Sequence, residues 1–342
     1  MKNVALLTGG GDSAGINAAL WSAVRSCVER GWKPIGVRRG WSGILQNDFA
    51  PHFEVSYEAV DRPGTVLQTS RTNPIKEGPE GLDHLVSQLE MQQIHGLIVI
   101  GGDDTLSVAA ALSQKGYPVV GIPQTIDNDI PGTDYCLGFA TACQQIYQAI
   151  MGMRPSNISH QRGMIVEVMG RDSGWLALEA ARATGALGLL IPECFCSVAA
   201  FASAVMQRLA VNDDAPLIIV AEGISSTHFS LKHDAIDAFG NSRLEGAGQA
   251  MARYFNKNFG QDFRCQVLGF LQRGGTLNYQ DVLVGKLFGR EAVRCLENGQ
   301  NGCLVGLQAG ATIITDLQEI TGKRRKVPRD VMLQEESLLG LS

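Results

Sequence analysis

No apolar run in the 342-residue chain reaches the ~18 residues a membrane span needs, and Met1-Lys2-Asn3-Val4 leads into a strand pattern without signal-peptide blocks. A cytoplasmic location with no membrane partner is expected. Excess positive charge is also missing, the formal net charge being -5, so no nucleic acid partner is expected. The basic run Lys323-Arg324-Arg325-Lys326 reads as a solvated surface patch. The eight cysteines are scattered; Cys194-x-Cys196 has no further Cys or His at ligand spacing, and the six histidines form no H-E-x-x-H, so zinc is not expected. There is no G-x-x-x-x-G-K-[ST], which argues against a P-loop kinase, and no repeat or low-complexity segment. What is present, 45% hydrophobic and 18% charged residues, describes a globular chain long enough for two domains.

Apolar runs at 4–8, 97–100, 118–122, 163–169, 189–191 and 217–221 read as buried strands. Between them, helices are predicted over 16–29, 82–90, 106–114, 139–151, 198–210, 244–255 and 282–296, with further runs at 303–307 and 312–314 and a polar loop over 224–241. This alternation predicts an α/β protein with two Rossmann-like domains of mostly parallel sheet, whose ligands sit at strand C-terminal ends.

Polar residues cluster at those ends. Pro123-Gln124-Thr125-Ile126-Asp127-Asn128-Asp129 follows one strand; Asp127 and Asp129, two apart, share a side if the segment is extended. Gly101-Gly102-Asp103-Asp104-Thr105 follows another, which reads as its neighbour. Convergent carboxylates suit a metal-bound polyphosphate on one side and a hydroxyl to be deprotonated on the other. Gly9-Gly10-Gly11-Asp12-Ser13-Ala14-Gly15 turns into a helix whose N-terminus favours an anion. Gly9, Gly11 and Ala14 equally satisfy a relaxed dinucleotide fingerprint, so an NADP-linked oxidoreductase competes, although Ile35-Gly36-Val37 runs into Arg38-Arg39 rather than an acidic ribose partner. A non-catalytic sugar-phosphate binder is a further alternative.

These motifs, with Thr69-Ser70-Arg71, His160-Gln161-Arg162, Met169-Gly170-Arg171, Glu222 and Leu268-Gly269-Phe270-Leu271-Gln272-Arg273-Gly274-Gly275, resemble those of the phosphofructokinase family, from Gly9 to Gly275. That family phosphorylates the 1-hydroxyl of fructose 6-phosphate with ATP or pyrophosphate. The resemblance implies a donor-binding domain of residues 1–138 plus 274–322 and a sugar-phosphate domain of 139–273 plus 323–342.

It also implies roles. Asp127 would be the general base, Thr125 would orient the reacting groups, and Arg171 would screen developing charge. Asp103, with Asp129 supporting base or metal, would hold Mg2+. Gly11, Arg71, Gly102, Asp103, Asp104, Thr105 and Gln124 would meet the donor. Thr125, Asp127, Met169, Gly170, Arg171 and Glu222 would meet the sugar, while Arg162, Arg264 and Arg273 would clamp its 6-phosphate. Arg162 and Arg264 would reach a neighbouring subunit, in a homodimer or homotetramer. Phe270 departs from the His or Tyr often found there and cannot donate a hydrogen bond.

Two departures bear on donor and regulation. Pyrophosphate members typically carry Gly-Gly-Asp-Asp and Pro-Lys-Thr-Ile-Asp-Asn-Asp, ATP members Gly-Gly-Asp-Gly and Pro-Gly-Thr-Ile-Asp-Asn-Asp. Asp104 fits the first pattern and Gln124 neither; a second carboxylate repels an α-phosphate, so pyrophosphate is favoured over ATP. Another sugar or polyol as acceptor stays open. Places matching the effector site of the allosteric bacterial ATP enzymes hold Trp21, Glu54, Leu187, Val211 and Asp213, leaving mainly Arg25 and Arg154, so a non-allosteric enzyme is expected.

Overall fold

The computed structural model describes residues 2–194, 197–210, 215–224 and 246–339. In chain order these form β1 (Asn3–Gly9), α1 (Ile16–Glu29), β2 (Lys33–Val37), α2 (Trp41–Leu45), β3 (Phe49–Ala50), α3 (Pro79–Met91), β4 (Gly96–Gly101), α4 (Asp103–Gln114) and β5 (Val119–Pro123). There follow α5 (Phe139–Ser159), β6 (Gly163–Val168), α6 (Trp175–Thr184), β7 (Gly188–Leu190), α7 (Val198–Leu209), β8 (Leu217–Ala221), α8 (Ala247–Phe259) and β9 (Phe263–Val267). The chain closes with α9 (Tyr279–Glu297), β10 (Cys303–Gln308), β11 (Ala311–Asp316), α10 (Leu317–Ile320), α11 (Arg329–Gln334) and α12 (Glu336–Leu339). Two compact units result: Met1–Thr141 with Arg273–Arg324, and Ala142–Gln272 with Arg325–Ser342.

In the first unit the strand order is β11-β10-β5-β4-β1-β2-β3, parallel except at its two outer pairs. Alternation of side chains sends Val4, Leu6, Ile98, Ile100, Val120 and Ile122 into one core with α1 and α9. Ala5, Leu7, Leu97, Val99 and Val119 enter the other, with α3 and α4. Burial on both faces is why these strands read as unbroken apolar runs. On one face α1 and α9 approach closely because small residues meet: a Cβ on Gly285 would lie 2.6 Å from the carbonyl oxygen of Gly15.

The placement of the site follows from this order. The chain goes from β1 outward to β2, then returns to lay β4 on the other side of β1, a topological switch point with its crevice at the strand C-termini. Register sets Gly9, Gly101 and Pro123 abreast there. The second unit is a parallel sheet of order β7-β8-β6-β9 packed on α7 and α8.

Several local expectations need correction. The fourth helix starts at Asp103, not 106, because Gly102 serves as its N-cap and two carboxylates in the first turn suit the helix dipole. The segment after β5 is not extended: Ile126 and Asp127 form a turn, and Asn128 is left-handed at φ 51°, a conformation Asn tolerates. α5 runs on to Ser159 through Pro155. Helix α6 and strand β9 were not anticipated. Most of the 224–241 loop, Cys196, Val211 and Asp213 lie outside the described residues.

Candidate active site

Three loops leave adjacent strand ends in the first unit, and hydrogen bonds tie them together. Gln124, 2% exposed, donates from Nε2 to the Gly11 carbonyl and to Ser13 Oγ, both at 2.9 Å. Ser13, fully buried, lies 3.0 Å from the Leu137 carbonyl, to which it donates. An amide has two N–H donors and both are used here, so Gln124 shapes the Gly11 turn. The Gly10 turn is laced to Thr69 and Ser70: Gly10 N–H donates to the Ser70 carbonyl at 2.9 Å and Thr69 Oγ1 to the Gly10 carbonyl at 2.8 Å. This sets the exposed Arg71 beside the turn.

Thr105 stands at the same strand ends, in the first turn of α4. It is 3% exposed, and its side chain fills the space that a Cβ on Gly9 or Gly101 would need. It packs the switch point, and a methyl at either glycine would evict it. Gly102 and Asp103 stand at the start of α4, while Asp104, with 60% of its side chain exposed, has Lys76 Nζ at 3.5 Å.

Thr125 Oγ1 accepts the Asp127 N–H at 3.2 Å, closing the turn that carries the half-buried Asp127. Asn128, 3% exposed, brackets the following loop: Nδ2 donates to the Asp134 carbonyl at 3.1 Å, and Oδ1 accepts the Cys136 N–H at 2.8 Å. That loop is anchored by buried Asp281 on α9. Its Oδ1 accepts from Tyr135 Oη and Gly138 N, each at 2.7 Å; its Oδ2 accepts from Thr141 N at 2.8 Å and Thr141 Oγ1 at 2.6 Å. Burial pushes the Asp281 carboxyl above its ordinary range against the pull of these donors. Neither Asn128 nor Asp281 was singled out from sequence, although an Asn between two loop aspartates is a recognisable left-handed candidate.

Asp103 and Asp129 converge on one cation. Arg324 Nη1 lies 2.6 Å from Asp103 Oδ2, and its Nε lies 3.1 Å from Asp129 Oδ2. The basic run is therefore a solvated patch only in part: Lys323 and Lys326 are exposed, but Arg324 has only 29% of its side chain exposed, and in the second unit Arg325 stacks 4.4 Å over Trp175. No set of three or more metal-ligating side chains is assembled among the described residues. Two hard oxygens that already gather around a cation fit Mg2+, which is commonly held by one or two carboxylates plus substrate phosphates.

Arg273 lies in the first unit, where its guanidinium covers Gly11 and Nη1 donates to the Asp12 carbonyl at 2.9 Å. Its Nε is buried without a hydrogen-bond partner, an unmade bond that an anionic oxygen would satisfy.

In the second unit, Met169, Gly170, Arg171 and Glu222 follow the C-terminal ends of β6 and β8. Gly170 has φ 122°, and a Cβ there would lie 2.6 Å from the Ser173 carbonyl oxygen, so only glycine fits. Gln272, 1% exposed, accepts the Met169 N–H at 3.1 Å and donates to the Gly269 carbonyl at 3.0 Å, tying the motif to the turn bearing Phe270. Phe270 is 78% exposed. Arg162 and Arg264 are brought together instead at the start of β6 and β9, where both pair with Asp262 at 2.8 and 3.0 Å. From Met164, the partner of Arg264, to Met169 is about 16 Å along β6, at roughly 3.3 Å per residue.

Among the described residues, no helix is long and apolar enough to cross a membrane. Comparison with known proteins matches residues 3–296 to the phosphofructokinase family model. The chain is 40% identical to the pyrophosphate--fructose 6-phosphate 1-phosphotransferase of Amycolatopsis mediterranei, over 98% of this chain and 99% of that one. It is 35% identical to the ATP-dependent 6-phosphofructokinase of Corynebacterium efficiens, again over 98% and 99%. The crystal structure of a pyrophosphate-dependent phosphofructokinase from Nitrosospira multiformis superposes with a TM-score of 0.85 over 98% of this chain and 91% of that one, at 20% identity, and so shows the fold. With its motifs at the strand ends that this fold leaves open, the chain belongs to the phosphofructokinase family.

Proposed function

We propose that the protein transfers a phosphoryl group from pyrophosphate to the 1-hydroxyl of fructose 6-phosphate, giving fructose 1,6-bisphosphate, as a Mg2+-dependent cytoplasmic homo-oligomer. The observation that carries this reading is the convergence of Asp103 and Asp129, from adjacent strand ends, on one cationic group, with Asp127 on the same loop. Asp103 and Asp129 would hold Mg2+, whose chemistry is to draw charge from the donor's phosphoryl oxygens. Asp127 takes the proton from the attacking 1-hydroxyl, and Thr125 fixes the turn from which it acts. Arg71 and the Gly11 and Gly102 backbone receive the donor, while Gln124 shapes the Gly11 turn. Met169, Gly170 and Glu222 shape the sugar pocket, and Arg171 screens charge on the transferring group. The unpaired Nε of Arg273 supports a phosphate role for that residue.

Pyrophosphate is favoured by Asp104, whose charge opposes an α-phosphate, and by the name of the Amycolatopsis relative. ATP is the second reading, favoured by the Corynebacterium relative and by Lys76, which offers Asp104 a counter-charge. The oligomer is supported by the distance along β6: the Arg162 and Arg264 pair stands about 16 Å or more from Met169 of the same chain, farther than expected for two ends of one small sugar phosphate. Absence of effector control is supported by the remaining cations, since Arg25 pairs with Glu29 at 3.0 Å and Arg154 donates to the Thr184 carbonyl at 3.0 Å.

The test is a coupled assay with fructose 6-phosphate and Mg2+, offering pyrophosphate and ATP separately. Turnover with pyrophosphate supports the proposal; turnover with ATP alone overturns the donor, and turnover with neither overturns the acceptor.

A further inference from the structure

We infer that Arg324 is a built-in counter-cation that competes with the divalent metal for Asp103 and Asp129, so that metal gains these carboxylates only together with a polyphosphate donor. This rests on the proposed metal role of the two acids. The segment after α10 grips Asp103 through both oxygens: Gly322 N–H donates to Oδ1 at 3.3 Å, and Arg324 reaches Oδ2 at 2.6 Å. The same guanidinium reaches Asp129, whose side chain is 10% exposed. Little solvent is left to screen the three charges from one another.

Arginine stays charged throughout the accessible pH range, so it cannot leave by losing a proton; it must find another anion. Metal arriving alone would meet a positive charge already spread over its two ligands. A metal carried by pyrophosphate brings the remedy with it, because phosphate oxygens accept the planar guanidinium fork as well as carboxylates do. Arg324 thereby couples the two arrivals and passes from the acids to the donor. It also adds a cation to the donor side, where Gln124 provides none.

The experiment titrates Mn2+ into the metal-free full-length protein without donor, reading free Mn2+ by electron paramagnetic resonance. Arg324→Gln and Arg324→Met should bind Mn2+ at least about tenfold more tightly than wild type, by removal of a cation in direct contact with both ligands; Arg324→Lys should stay within about threefold of wild type. In the wild type, hydrogen exchange over residues 317–324 should quicken when Mn2+ and pyrophosphate are added together, and not with Mn2+ alone, a readout that needs no variant. Unchanged or weaker Mn2+ binding in both neutral variants overturns the proposal while leaving the metal site standing. If no protein binds Mn2+ even with pyrophosphate, the metal role of Asp103 and Asp129 falls as well.

Discussion

Gln124 donates to the hydroxyl of Ser13 at 2.9 Å from a position 2% exposed, so the residue that departs from both donor patterns is a strut between the first and third loops of the site. Its replacement by Ala orphans the Gly11 carbonyl and loosens that turn. A loss of about 1–3 kcal/mol in urea unfolding is expected, with a raised pyrophosphate KM. Gln124→Lys keeps two N–H donors for the strut and adds a third with a charge, so the pyrophosphate KM should fall. An unchanged KM in Gln124→Lys would show that the added cation does not reach the donor.

Asp127 sits on a turn closed by the Thr125 hydroxyl. Asp127→Asn preserves shape and removes the base, so kcat should drop by about two to four orders of magnitude with the fructose 6-phosphate KM changed little. Near wild-type turnover in the purified variant would remove Asp127 from the proton transfer.

Asp104 and Lys76 are both exposed, and their pair is worth little to the fold. Asp104→Gly should therefore lose little from the ion pair itself but about 0.5–1.5 kcal/mol from placing glycine, without a carboxylate, in the first turn of α4, while Asp104→Gly with Gln124→Gly should gain ATP-supported turnover at the expense of pyrophosphate. Equal donor preference before and after means that selection lies elsewhere.

Glu167, 5% exposed on β6, accepts the Gly248 N–H at 2.8 Å near the start of α8, and burial raises its pKa above the ordinary 4.5. A raised carboxyl favours the fold fully below the ordinary value, and this contribution is lost as pH rises through the folded-state value. Urea unfolding from pH 4 upward should find wild type losing ground to Glu167→Gln as pH increases, then levelling. A difference that is flat, or that favours wild type at higher pH, contradicts burial as the dominant influence.

The sequence by itself determined the strand and helix alternation, the clustering of glycines and acids at strand ends, and the family motifs, because these depend on residue type and near-neighbour spacing. It also left the Gly9-x-Gly11-x-x-Ala14 turn open to a nicotinamide enzyme, since a phosphate-binding turn looks alike in both. Only the tertiary structure decided how these polar groups pair with one another. It spent the Gln124 amide on Gly11 and Ser13, buried Thr105 against Gly9 and Gly101, and bent 126–128 through a left-handed Asn. It also carried Arg324 from an apparent surface run to Asp103 and Asp129, and gathered Arg162 and Arg264 on Asp262 at the far end of β6 from Met169. Each of these depends on partners distant in the chain, brought together by sheet register and strand order, and side-chain pairing at that range leaves no local pattern to read.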